Sequence, residues 1–202
     1  MSPRSYDLGK RRGQIDQSRQ QVLDAARFLL AGTASYTAFT VDAVARQADV
    51  ARATVYYQFG SKTGLLEALC DALAEAGRMS ELAGAFADPD PLEALRRFVA
   101  CFGRFWSADR VAMRRLRALA ALDPEVGAVI SARDQRRREG LAVLTGRLSD
   151  ARLITAEPGR AARVLVALTS FETFDALARP DQELTAVTPD VLQLAEAALQ
   201  LG

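Results

Sequence analysis

Histidine is missing from this 202-residue chain, and that absence removes a great deal of chemistry. Without it there is no Ser-His or Cys-His nucleophile pair, no imidazole ligand for zinc, and no side chain that ordinarily titrates near neutrality. Cysteine is scarce: Cys70 and Cys101 stand alone on helical patterns with no CxxC spacing, so they read as small buried hydrophobes. No apolar run approaches the roughly 18 residues of a membrane span. Period-two alternation is lacking as well, so no segment reads as a strand. The polar, basic opening MSPRSYDLGKRRG has no apolar stretch behind it and does not resemble a secretory signal, so a cytoplasmic location is expected. Together these absences disfavour an enzyme, and they leave no metal and no cofactor to expect.

What is present is ample core material: half of the residues are apolar. The 26 basic and 25 acidic side chains nearly cancel, but they are not mixed evenly. Residues 1–62 hold nine basic against five acidic groups, and residues 63–93 hold one against seven. A basic first block is the modest electrostatic footprint of a segment that meets phosphate; a merely solvated surface would look the same.

Ala, Leu, Arg and Glu dominate wherever a period shows, which predicts an all-α chain of about nine helices. The first runs from Gln14 to Ala31 and stops at Gly32. Thr40 caps a short helix from Val41 to Ala48, the segment 49–51 is a tight break, and Arg52 to Phe59 is helical again. Ser61 caps the next, whose leucines run toward Gly77. Further helices are expected from Pro91 to Ser107, Asp109 to Leu122, Pro124 to Ser149, Pro158 to Ala178 and Asp190 to Leu201. Residues 1–61 are expected to be one domain and 62–202 another.

Thr40 to Phe59 is the informative stretch. Two turns of helix, a three-residue turn and two more turns of helix make the helix-turn-helix plan. Val41, Val44, Ala45 and Ala48 form one inner face, Val50 plugs the corner, and Val55 with Phe59 form the other inner face. That leaves Arg52, Ala53, Thr54, Tyr56, Tyr57 and Gln58 pointing outward, five of them hydrogen-bonding. Arg at the amino end of such a helix suits guanine edges, and hydroxyls suit phosphate; the Tyr57 ring also suits a thymine methyl. Lys62, in the first turn of the following helix, and Thr40, at a helix start, sit where the dipole favours phosphate. Lys10, Arg11 and Arg12 form a basic arm, suited to the backbone or the minor groove.

The run TVDAVARQADVARATVYYQFGSKTGLLEAL, preceded by VLDAARFLLAG, resembles the tetracycline-repressor (TetR) type of transcriptional regulator. The resemblance covers about 50 residues and departs from the family pattern at Asp49, where Gly is usual, at Ala51, and at Gln58. Asp tolerates a left-handed turn conformation. The resemblance implies a DNA-binding homodimer, with a palindromic double-stranded operator, a small-molecule effector held by the carboxy-terminal helices, and a repressor's sign of regulation. The alternative is a helical effector-binding or scaffolding protein with weak DNA binding.

For the effector half, Phe102, Phe105, Trp106, Met113, Phe171 and Phe174 concentrate aromatic and Met side chains, as pockets and cores both do. Arg133 and Arg137 fall on the apolar seam of the Pro124–Ser149 helix. They either pair with carboxylates such as Glu172 or Asp175 or hold an anionic group of the effector. Arg110, Arg114 and Arg117 fall opposite the apolar stripes and read as solvated. For pairing of two copies, Val191, Leu194, Ala195 and Ala198 on the last helix, with Phe171 and Phe174, are expected to form a four-helix interface.

Overall fold

The computed structural model describes residues 3–32 and 39–200, with side chains from Gly13 onward. Among these residues there are eleven α-helices, two 3-10 turns and no strand. No described helix is long and apolar enough to cross a membrane. The chain divides into two compact units, residues 1–72 and 73–202, and the boundary falls within a helix.

The first unit contains α1 (Pro3–Ala31), α2 (Val41–Gln47), α3 (Arg52–Phe59) and most of α4 (Lys62–Ala76). Helix α1 begins eleven residues before the expected Gln14. Once the buried turns around Val22, Ala26 and Leu30 are fixed, each added residue brings a hydrogen bond without a new nucleation cost, and the polar stretch extends the helix. The core is closed by Val22, Ala26, Val44, Val55, Leu65, Leu66 and Leu69, all at most 1% exposed.

In the second unit, α5 (Leu82–Ala87) precedes α6 (Pro91–Ala108), α7 (Arg110–Ala120) and α8 (Pro124–Asp150). Then come α9 (Pro158–Leu168), α10 (Phe171–Leu177) and α11 (Thr188–Leu199). Acidic caps set the starts: Asp90, Asp109, Asp123 and Glu157 each accept from backbone N–H groups one turn on, three of them ahead of a proline. Helix α6 lies at the centre, against α5, α8, α10 and α11. Its Gly103 permits that packing, because a Cβ there would sit 2.5 Å from the Thr188 hydroxyl and 3.2 Å from the Phe174 ring.

Two differences raise the count from nine to eleven. The segment 82–87 forms a helix of its own after Arg78, which adopts a left-handed conformation at φ 58°. The expected Pro158–Ala178 helix is two helices. The Thr169 hydroxyl turns back onto the Leu165 carbonyl, and Ser170 accepts from the Thr173 N–H to start α10. Apolar spacing alone carries across that break, because both pieces bury a face on the same core. Leu201, at the expected end of the last helix, lies outside the described residues.

Candidate nucleic-acid interface

Thr40 opens the motif, its Oγ1 accepting from the Ala43 N–H at 3.1 Å. At the other end of α2 the Val50 N–H reaches the Ala45 carbonyl and the Asp49 N–H reaches the Arg46 carbonyl, 3.0 and 3.2 Å away. That pair of bonds is a Schellman close, with Asp49 left-handed at φ 51° where glycine is the easy residue. Val50 is half-buried at the corner.

The inner side of helix α3 is anchored on α1. Val55 is 1% exposed, and the Arg19 guanidinium of α1 lies 4.4 Å from the Phe59 ring centre. Arg19 also donates to the Gln58 carbonyl at 3.1 Å. The Gln58 amide donates to the Ser18 hydroxyl at 3.0 Å, so its side chain turns back to α1. This corrects the expectation that Gln58 lies on the outer face: it follows Val55 by three residues and precedes Phe59, and it shares their side of the helix. Nothing in the residue types at 18 and 19 announced that tether.

The opposite side of α3 is open. Arg52 and Ala53 are exposed, Thr54 is half-buried, Tyr56 is 39% exposed and Tyr57 is 83% exposed. Tyr56 lies beside the Arg52 guanidinium, and Tyr57 extends the accessible aromatic surface of this face. Arg52 is already oriented: Nη1 donates to Asp42 Oδ2 at 3.2 Å and pairs with Oδ1 at 3.0 Å, while Nη2 donates to the Tyr56 hydroxyl at 3.2 Å. The Tyr56 hydrogen bond and then the Asp42 charge hold the Arg52 guanidinium above the ordinary arginine pKa, so its charge is permanent. Lys62 is half-buried in the first turn of α4, where Ser61 accepts from the Gly64 N–H at 3.0 Å. The backbone at 10–12 belongs to α1, and the side chains of Lys10, Arg11 and Arg12 lie outside the described residues.

The residues expected to line an effector pocket are brought together, but against one another. Phe98, Phe102, Trp106 and Phe171 follow in ring-to-ring steps of 4.8, 5.7 and 5.8 Å, with Phe105 4.5 Å from Trp106. Met113, Phe171 and Phe174 are buried with them, and the Trp106 indole donates to the Thr169 carbonyl at 3.1 Å. Arg137 is buried and has structural partners. It donates to the Val166 carbonyl at 2.7 Å, the Thr169 hydroxyl at 3.0 Å and Asp134 at 3.4 Å. Burial pushes its pKa below the ordinary value, opposed by the charge of Asp134. Arg133 is half-buried one turn earlier.

Glu172 and Asp175 serve arginines of α7. Arg117 bonds Glu172 and, at 3.1 Å, Asp134; Arg110 and Arg114 each reach Asp175 at 2.6 Å. Burial opposes ionisation of Asp175, but the bonds from Arg114 and Arg110 outweigh it and keep the carboxyl below its usual range. The reading of Arg110 and Arg117 as solvated is therefore corrected: their side chains are 15% and 18% exposed. Helical spacing cannot see a carboxylate on another helix. Beside this network, Arg114, Arg117, Phe171, Glu172 and Asp175 border an open depression of about 390 Å³.

Of the residues expected at a dimer interface, Phe171, Phe174, Val191 and Ala195 are at most 3% exposed within the single chain. Their surface is already used by their own core. Leu194, 45% exposed, and the half-buried Ala198 remain accessible on α11.

Residues 22–69 match the family described as bacterial regulatory proteins, tetR family. No curated protein matches the chain by sequence. Among solved structures, a TetR-like transcriptional regulator from a Rhodococcus species is 27% identical over 90% of this chain and 95% of its own, with a TM-score of 0.64. The fatty acid degradation regulator FadR from Bacillus halodurans is 19% identical over 92% and 97%, with a TM-score of 0.68. AibR, solved with isovaleryl coenzyme A and operator DNA, is 18% identical over 92% and 100%, with a TM-score of 0.66.

Proposed function

Because residues 22–69 match the family described as bacterial regulatory proteins, tetR family, we propose that this chain is a member of it and a ligand-responsive repressor of transcription. In this reading a homodimer lays α3 of each copy in the major groove of a palindromic operator, and a small molecule bound to the second unit releases it. The observation that carries the reading is the open face of α3, where Arg52, Thr54, Tyr56 and Tyr57 present donors on a helix fixed from behind by Val55 and the α1 tether. Arg52 reads a base edge, the hydroxyls of Thr54, Tyr56 and Tyr57 and the Lys62 ammonium take phosphates, and Thr40 presents a helix start to the backbone.

An acyl thioester is the effector class to test first. AibR carries isovaleryl coenzyme A and FadR is a fatty acid regulator, and both share this fold. The buried aromatic row of α6 would have to part to admit an acyl chain, so binding is expected to reorganise the second unit. A single helix-turn-helix buries too little surface for a specific site, which is why pairing of two copies belongs to the proposal. Leu194 and Ala198 are its accessible contacts.

The experiment is enrichment of DNA from a random duplex pool by the purified protein, followed by competition with short-chain acyl coenzyme A. Enrichment of a two-fold symmetric motif, and its release by one of the thioesters, is the expected result. A pool that stays random after repeated rounds overturns the reading.

A further inference from the structure

We propose that Asp42 is a positioning residue for sequence readout: its carboxylate, on α2, fixes the Arg52 guanidinium for one base edge and penalises binding to DNA that lacks that base. The inference rests on the proposed function and names a residue that function does not require. Three contacts hold the fork. Both Asp42 oxygens face Nη1, at 3.0 and 3.2 Å, Nη2 meets the Tyr56 hydroxyl at 3.2 Å, and the guanidinium carbon lies 5.3 Å from the Tyr56 ring centre.

Stability is a poor reason for this arrangement. The two side chains are 59% and 54% exposed, and ion pairs that open to water contribute little to folding. On a face meant for phosphate, a carboxylate also repels the ligand. What the pair does accomplish is orientation. An unrestrained arginine loses rotamer freedom when it docks, whereas one pinned on both sides has already lost it. Two of the five donors are committed, and the remaining N–H groups point in directions set by the protein. DNA carrying the matching acceptor gains those donors in place. On other DNA the Asp42 charge stays as a net repulsion, so discrimination widens from both ends.

A rival role exists: Asp42 stands in the first turn of α2, where a negative charge favours the helix dipole. A double-mutant cycle separates the two. The probes are a palindromic duplex enriched by the wild-type protein and a shuffled duplex of the same composition, with affinities from fluorescence anisotropy and folding checked by melting. Asp42→Asn is expected to bind the shuffled duplex about threefold more tightly and to lose about tenfold in the ratio of the two affinities. In the Arg52→Ala background the same change should still tighten shuffled binding but leave the ratio unaltered, because the group it positions is gone. A ratio within twofold of wild type in Asp42→Asn overturns the proposal, as does an equal loss in both backgrounds. Should Asp42→Asn unfold, Asp42→Ser is read in the same cycle. If the wild-type protein enriches no palindrome, or binds the two probes alike, the repressor reading fails and this inference with it.

Discussion

Single side chains here divide into those that hold the fold together and those that the proposed function gives to DNA. Arg137 is of the first kind: of the three hydrogen bonds from its buried guanidinium, two join α8 to the end of α9 and one returns to Asp134 on α8. Replacing it with Met keeps the apolar stem but strands the Val166 carbonyl and leaves the Thr169 hydroxyl, which still donates to Leu165, without its donor, at a cost of about 2 kcal/mol. For a chain of this length that lowers the melting temperature by about 4–8 °C without any ligand. An unchanged melt would return Arg137 to the effector site. Lys62 is of the second kind. Lys62→Ala should weaken binding to every duplex alike and reduce the slope of log affinity against log salt by about one unit. A loss confined to one sequence would mean that Lys62 reads bases. The sequence made both residues visible, but for Arg137 a partner helix decided the role. Arg137 lies on an apolar seam, which shows burial; that its acceptors are Val166 and Thr169 depends on how α8 crosses α9.

At the scale of elements, the two helices and the turn of the α2–α3 motif were legible because their determinants are local: a Thr cap, small residues at the crossing, and Val55 with Phe59 one turn apart. Asp49 even signalled the left-handed turn it adopts. That conformation costs a non-glycine residue roughly 1–2 kcal/mol. Glycine removes this cost but brings a backbone-entropy penalty of roughly 0.5–1 kcal/mol. Asp49→Gly should therefore stabilise the protein by about 0.5–1 kcal/mol, measured as a higher midpoint in urea with the slope unchanged; a lower midpoint would mean that the Asp49 side chain contributes more than its strain costs. The break between α9 and α10 was not legible. Thr169 closes one helix and Ser170 opens the next with no loop between them, and the buried phenylalanines beyond them resume the apolar pattern. Gln58 was misread because a residue three after Val55 and next to Phe59 falls on their side of the helix, not opposite it.

For the whole molecule, the proposal of a two-fold dimer now rests on less surface than the apolar character of the last helices suggested. Val191, Ala195, Phe171 and Phe174 close the chain's own core, so in the proposed dimer the contacts left on α11 are residues such as Leu194 and Ala198. Leu194→Arg with Ala198→Arg should give a folded monomer by sedimentation at micromolar concentration, with binding to a palindromic duplex lost. A double variant that stays dimeric would move the interface elsewhere.

The chain's claim to read DNA depends on one face of α3, and Arg52 tests it most directly. Motif enrichment from a random duplex pool, run in parallel with the wild-type protein and Arg52→Ala, reports every base position at once. The variant is expected to enrich the same palindrome with the preference at a single base pair of each half-site flattened and the others kept. A motif identical to that of the wild-type protein would contradict the placement of α3 in the groove.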